Sequence, residues 1–402
     1  MNRDVRILIP AQFLSAFGDN ALLFTAIEMA GGAGADATYV TALQASFIVA
    51  YVALAAWVGP FADAWPKHAV LVGANRVKAA GVGLMFVGTE PLLAYALVGV
   101  GAVMYSPAKY GILPERVTGP DLVRANAWVE GATIAAIILG MLLGAALAEH
   151  SVSLSQAVIT GVFVASGLLA LRLRRRPAIR PSTLPPGAWL RDALREFMIA
   201  ARQALSQPRG RFTLLGAALF WAAAALLRLM VLAWAPLALA VTTTGDIAEL
   251  TLWTAVGIAV GAMLAPRYIG LETIRRARYA AWAMGLAVIF LAFSTDLWTA
   301  RAALFLAGVA GGLFIVPVNA VVQEIGCRGE ASGAMVGVQR FLENVSMLLA
   351  LGGYALAVQL GAGPVASLIG LGVLLMALAG GLALLLPPFS PAERATDTEG
   401  RR

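Results

Sequence analysis

Apolar residues along this chain come in long blocks, and the polar residues between them in short ones. A helix needs about 20 mostly apolar residues to cross the hydrocarbon of a bilayer. Twelve segments meet that length: 8–30, 39–60, 69–88, 92–112, 122–148, 156–173, 211–241, 247–268, 273–294, 298–322, 331–360 and 364–386. The first half of 69–88 holds Asn75, Arg76 and Lys78, which reads as a stretch near the cytoplasmic surface.

The connecting segments differ in charge by side. Those following the odd-numbered spans (31–38, 89–91, 149–155, 242–249, 295–297 and 361–364) contain no Lys or Arg. The other side carries Lys67, Arg116, Arg124, Arg267, Arg275, Arg276, Arg278 and Arg328, and the long segment 172–211 has ten arginines. Basic residues concentrate in cytoplasmic loops, so both termini are expected in the cytoplasm. Composition agrees with a membrane protein. Of 402 residues, 60% are hydrophobic and only 13% charged, with mean hydropathy +0.81, whereas soluble domains carry about 25% charged residues.

Several function classes drop out. The net charge of +7 sits in a few inter-helix segments, not on the continuous face that nucleic-acid binding needs. Cys327 is the one cysteine, so no intrachain disulfide forms, and His68 and His150 have no metal-ligand spacing with other donors. No metal or other cofactor is expected. There is no GxxxxGK[ST] phosphate loop, which argues against ATP hydrolysis. Arg3 and Arg6 precede an apolar run that Gln12 and Asp19 interrupt and that lacks a small-x-small cleavage site, so it reads as a retained first helix.

The expected organisation is a six-helix bundle over 1–173, a cytoplasmic linker over 174–210, a second six-helix bundle over 211–388 and a polar, disordered tail over 389–402. In the linker, Leu190, Leu194, Phe197, Ala201 and Leu205 recur at helical spacing beside Arg191, Arg195 and Arg202, the pattern of a helix lying on a membrane surface. The halves repeat one another. Span 5 has Asn126, Glu130 and Thr133 where span 11 has Gln339, Glu343 and Ser346, and Pro107-Ala108-Lys109 in span 4 answers Pro317-Val318-Asn319 in span 10. Parallel repeats of this kind are the arrangement of major facilitator superfamily transporters, whose substrate lies between the halves near mid-membrane. The loop between spans 2 and 3 resembles that superfamily's signature through Gly59 and Asp63, with Asp63 expected to secure the turn.

A charge at bilayer depth costs roughly 2.5–3.5 kcal/mol on insertion scales, so a charged residue inside a span is a candidate for function. Asp19 lies about halfway along span 1, with Gln12 and Ser15 on the same face. Arg228 lies about halfway along span 7, Glu343 and Asn344 near the middle of span 11, and Lys109 and Glu130 in the cytoplasmic thirds of spans 4 and 5. Buried charges need partners. Asp19 with Arg228, or Lys109 with Glu343, would join the two halves; Lys109 with Glu130 would lie within one. Four Gly-x-x-x-Gly pairs (Gly140/Gly144, Gly257/Gly261, Gly308/Gly312 and Gly333/Gly337) read as helix-packing contacts.

The stretch Gln12–Phe24, which includes Asp19 and Asn20, is similar to the first-helix signature of the bacterial lysophospholipid transporters, and Tyr105–Leu113 resembles their span 4 signature. Leu219-Phe220-Trp221 with Leu227-Arg228, Val316–Asn319 and Leu342-Glu343-Asn344 follow in the same order, and the resemblance runs over nearly all of 5–388. Arg340 and Leu342 flank Glu343 and Asn344 where that pattern leads one to expect small or neutral polar residues. The resemblance implies a flippase-like carrier of the bacterial inner membrane that alternates its access by rocking. It would move lysophosphatidylethanolamine, and lysophosphatidylglycerol, from the outer to the inner leaflet, for re-acylation by an acyltransferase–acyl-carrier-protein synthetase. A monomer among membrane lipids, with no nucleic-acid partner, is expected. A phosphate suits Lys109 or Arg228, an ammonium suits Asp19 or Glu343, and Asn20, Tyr105, Asn126, Glu130, Asn319, Gln339 and Asn344 complete the polar set. The competing readings are a proton-coupled exporter or importer of a small or amphipathic solute, with Asp19 or Glu343 carrying the proton, and a membrane enzyme. No catalytic His-Asp or Cys-His pair lies in a span to favour the enzyme.

Overall fold

Long apolar runs with few β-branched interruptions fold as helices because a helix satisfies every backbone polar group within one segment, which hydrocarbon demands. In the computed structural model, which describes residues 2–31, 37–179, 185–239, 244–329, 331–384 and 386, thirteen α-helices form. They are α1 (Arg3–Gly31), α2 (Ala37–Ala64), α3 (Lys67–Phe86), α4 (Pro91–Arg116), α5 (Pro120–His150), α6 (Val152–Leu171), α7 (Pro186–Ser206), α8 (Pro208–Ala238), α9 (Thr244–Tyr268), α10 (Ala277–Ala292), α11 (Leu297–Arg328), α12 (Ser332–Gln359) and α13 (Pro364–Leu384). No strand forms among the described residues. The expected tail and the linker residues 180–184 lie outside them.

Among the described residues, eleven helices are long and apolar enough to cross a membrane. The span expected at 273–294 is shorter than its hydropathy promised. A single 3-10 turn, Ile274–Arg276, precedes the 16-residue α10. At 1.5 Å per residue α10 spans about 24 Å, less than the usual 30 Å of hydrocarbon. The residues that shorten it are charged: Arg275 and Arg276 lie in the turn and Arg278 in the first turn of α10. Local signals set other ends. Glu90 caps α4, its carboxylate accepting from the Leu93 amide, with Pro91 at the first helical position. Ser151 caps α6 in the same way through Leu154. Gly88 and Gly361 take φ of 81° and 90° just past α3 and α12, a backbone conformation that glycine adopts without a steric penalty.

The chain forms two compact units. The first is Met1–Thr118, Trp128–Arg202 and Gln323–Val345; the second is Gly119–Ala127, Gln203–Val322 and Ser346–Arg402. In the first, α1 packs on α6 and α4, α3 on α4 and α6, and α2 on α4. Leu22, Val82, Val98, Ile159 and Phe163 are buried in its core. The start of the linker is pinned to this unit: Asp4 pairs with Arg116 at 3.1 Å, and the Arg174 amide donates to Asp4 while its carbonyl accepts from Arg116. In the second unit α10 and α8 pack on α13, and α9 meets α11.

The Gly-x-x-x-Gly pairs are packing contacts. A Cβ on Gly257 would overlap the Phe305 carbonyl oxygen, and one on Gly308 the Thr254 carbonyl, so α9 and α11 touch backbone to backbone. Replacing Gly257 with Val is expected to destabilise the fold by about 1–3 kcal/mol, since rigid backbone must give way. Gly161, with nothing within 4 Å of its would-be Cβ, should accept the same change with little effect. Thermal unfolding of the two variants in detergent compares them directly.

Candidate functional site

Asp19 and Lys78 form an ion pair between α1 and α3. Asp19 lies about 24 Å along α1, which is roughly 43 Å long, and Lys78 about 16 Å along α3. The Lys78 ammonium is 2.7 Å from Asp19 Oδ2 and donates to Ser15 Oγ at 2.8 Å. It also sits 5.0 Å from the ring centroid of Tyr105 and 5.4 Å from that of Phe163, a partly aromatic cage for a cation. Lys78 is 1% exposed and the Asp19 side chain 19%, so the pair is approached from the carboxylate end. The second carboxylate oxygen, Oδ1, is buried and has no hydrogen-bond partner among the described residues.

Two of the sequence expectations change here. Asp19 finds its counter-charge on α3, not in Arg228, which is exposed on α8 with no carboxylate partner among the described residues. Asn75 and Lys78 are also not surface groups. Only Arg76 of that trio is exposed. The signal was present in the spacing: Asn75, Lys78, Val82 and Met85 stand at i, i+3, i+7 and i+10, and all four are buried along one stripe of α3. Charge two residues apart on a helix points to opposite sides, so Arg76 and Lys78 separate.

The scaffold around the pair is polar and fixed. Asn75 donates to Ser166 Oγ at 3.1 Å, and Ser166 donates to the Ala11 carbonyl at 2.7 Å, which ties α3, α6 and α1 together. Gln12 donates to Thr133 Oγ1 of α5 at 2.9 Å. Asn20 and Asn126 each donate to the carbonyl four residues before them.

A second group centres on Tyr110. Its hydroxyl donates to Glu130 at 2.6 Å, while the Lys109 ammonium and the Arg340 guanidinium lie 4.0 and 4.8 Å from its ring centroid. Glu343 accepts from Arg340 and Gln339, both at 2.7 Å, and Asn344 donates to the Arg340 carbonyl. A Lys109–Glu343 bond does not form, because Arg340, one turn from Glu343 on α12, reaches it first. Sequence reasoning passed over Arg340 and Tyr110; the guanidinium stood out only as a departure from a family pattern. Asn319 is buried on α11.

The third group is Asp63, in the last turn of α2. Its carboxylate does more than secure the turn to α3. It accepts from the Gly333 amide at 2.9 Å and the Ala334 amide at 3.0 Å, capping the N-terminus of α12, where four amides lack intrahelical partners and the helix dipole is positive. Lys67 lies 3.1 Å from Asp63 and 2.9 Å from Glu115. Gly59, one turn before Asp63, allows this approach: a Cβ there would sit 2.5 Å from the Gly333 carbonyl oxygen. At the end of α11, the Cys327 thiol donates to the Pro114 carbonyl at 3.7 Å.

Lys78→Met leaves Asp19 buried without a counter-charge and is expected to destabilise the protein by about 3–5 kcal/mol. Adding Asp19→Leu should recover most of that stability. Denaturant unfolding of the single and double variants measures the coupling.

The Major Facilitator Superfamily profile matches residues 8–351. The lysophospholipid transporter LplT of Klebsiella pneumoniae subsp. pneumoniae is 42% identical over 91% of each chain, that of Serratia proteamaculans 40% over 89% of each, and that of Escherichia coli K12 39% over 93% of each. Among solved structures, the human organic anion transporter MFSD10 superposes with a TM-score of 0.77 at 14% identity, over 95% of this chain and 99% of that one. The fucose transporter FucP in its outward conformation gives 0.76 at 12%, over 96% and 99%. The structural likenesses speak to fold, and the sequence relatives to family: the chain belongs to the LplT lysophospholipid transporter family of the major facilitator superfamily.

Proposed function

We propose that this membrane transporter carries lysophospholipids across the bacterial inner membrane and reads the headgroup at the Asp19–Lys78 pair. The observation that carries the reading is a buried pair with one carboxylate oxygen unpartnered. A zwitterionic headgroup brings a phosphate and an ammonium. Its ammonium meets Asp19 and its phosphate meets Lys78, so each protein charge exchanges one partner for another and no charge is left bare in hydrocarbon. A headgroup with phosphate alone satisfies Lys78 but leaves Asp19 without compensation. The pair therefore favours lysophosphatidylethanolamine over lysophosphatidylglycerol. The relatives' name supports the substrate class, and the apolar helix surfaces supply a wall for a single acyl chain. Delivery to the inner leaflet for re-acylation by an acyltransferase partner belongs to the same reading.

Asp63 acts in this scheme as a latch. The excess of basic residues on its side of the chain supports a cytoplasmic placement. For that side to open, its carboxylate must leave the α12 amides. Asp63→Asn preserves the shape and removes the charge that the helix dipole favours. It is expected to speed labelling of Cys327 by a membrane-impermeant maleimide severalfold in inside-out vesicles.

The decisive experiment is uptake of labelled lysophospholipids by proteoliposomes, with and without a pH gradient. Asp19→Asn should lower lysophosphatidylethanolamine uptake about tenfold or more, the value of a charged hydrogen bond, and reduce lysophosphatidylglycerol uptake less. Equal loss for both lipids would remove the headgroup assignment. Flux that vanishes without a proton gradient would favour the proton-coupled reading.

A further inference from the structure

Helix α7 has three distinct faces. Ala193, Phe197 and Ala200 are buried, with Phe197 against Phe341 of α12. At about 100° per residue, Leu190, Leu194, Met198 and Ala201 fall within an arc of about 80° beside that face. Leu190, Leu194 and Met198 are exposed. Arg191, Arg195 and Arg202, also exposed, form the next strip, about 40° wide. The acidic residues Asp192 and Glu196 lie about 100° further round, away from the arginines. An exposed apolar stripe bordered on one edge by arginines alone matches a leaflet surface carrying anionic headgroups: the apolar side chains enter the acyl region and the guanidiniums stay at phosphate level.

The same helix touches both arms of the Asp63 latch. Trp57 of α2 donates its indole N–H to the Leu190 carbonyl at 3.2 Å, and Phe61 of α2 meets Trp189 edge-on at 6.3 Å. Phe197 meets Phe341 of α12 edge-on at 5.8 Å. Trp57 and Phe61 flank Gly59 and precede Asp63, and Phe341 lies two turns beyond the amides that Asp63 caps. We propose that α7 is a lipid-sensing clamp. Anionic phospholipid headgroups bind the Arg191, Arg195 and Arg202 strip, seat the Leu190, Leu194 and Met198 stripe in the leaflet, and so favour the arrangement in which Asp63 caps α12. The anionic fraction of the leaflet then sets how readily the latch opens.

The test uses the full chain in nanodiscs and reads Cys327, the one native thiol, beside the latch at Pro114. Maleimide labelling of Cys327 should slow severalfold when phosphatidylcholine is partly replaced by phosphatidylglycerol. The R191Q/R195Q/R202Q variant should lose that dependence while keeping the wild-type rate in phosphatidylcholine alone. An equal lipid dependence in the variant, or none in the wild type, overturns the clamp. A second measurement addresses the docking itself. In a Cys327→Ser background, Met198→Cys carrying an environment-sensitive fluorophore should be quenched by brominated lipid and shielded from aqueous iodide. Quenching by iodide instead overturns the docking. Neither readout involves lysophospholipid uptake, so the clamp and the transport reading stand or fall separately.

Discussion

A charge in hydrocarbon has to be compensated where it stands, because neither water nor distant ions can screen it. That constraint organises the first unit of this protein. Asp19 is held by Lys78, Glu130 by the Tyr110 hydroxyl and Glu343 by Arg340 and Gln339. Lys78 also donates to Ser15 of α1, and beside it the Asn75–Ser166–Ala11 chain ties α3, α6 and α1 together. Asp19 Oδ1, Gln12 Oε1, Asn75 Oδ1, Tyr105 Oη and Arg340 Nε are among the buried polar atoms left without a hydrogen-bond partner among the described residues. One oxygen of Asp19 has no partner, in a site whose other groups are already arranged around a cation. On the proposed reading, a ligand that brings both signs of charge leaves neither Asp19 nor Lys78 without a counter-charge when it displaces one from the other.

Two aspartates illustrate two ways of holding a carboxylate. Asp19 is matched by a flexible ammonium inside an aromatic and hydroxyl cage, and one oxygen stays unsatisfied. Asp63 is matched by Lys67 and by backbone amides at a helix start, and the amide bonds are lost when that helix end moves away. The first arrangement suits exchange of partners with a headgroup; the second suits a two-position contact. The close backbone approach at Gly59 and Gly333 belongs to the second, since any side chain there would hold the elements apart.

Much of the architecture was legible in the amino-acid order. Long apolar runs predict helices long and apolar enough to cross a membrane, and the described residues form them. The Gly-x-x-x-Gly pairs predict close helix contacts, as Gly257 and Gly308 make. Asp19 stands out from its place inside an apolar run, as a carboxylate where hydrocarbon should be. Span 9 was read too long because hydropathy averages over the arginines at its start, whereas the backbone turns there as a 3-10 segment before α10 begins.

The sequence by itself determined which segments are apolar enough to enter a membrane and which residues would be costly there, because both follow from transfer free energies of individual side chains. Which costly residues meet was decided only by tertiary structure. Pairing depends on helix rotation and on which helices are neighbours, and neither is a property of one segment. Lys78 was hidden among polar neighbours near the start of its span until the rotation of α3 turned it toward α1 and turned Arg76 away. Arg340 took Glu343 because a partner one turn away on the same helix needs no folding to find it, whereas Lys109 would have had to come from another helix.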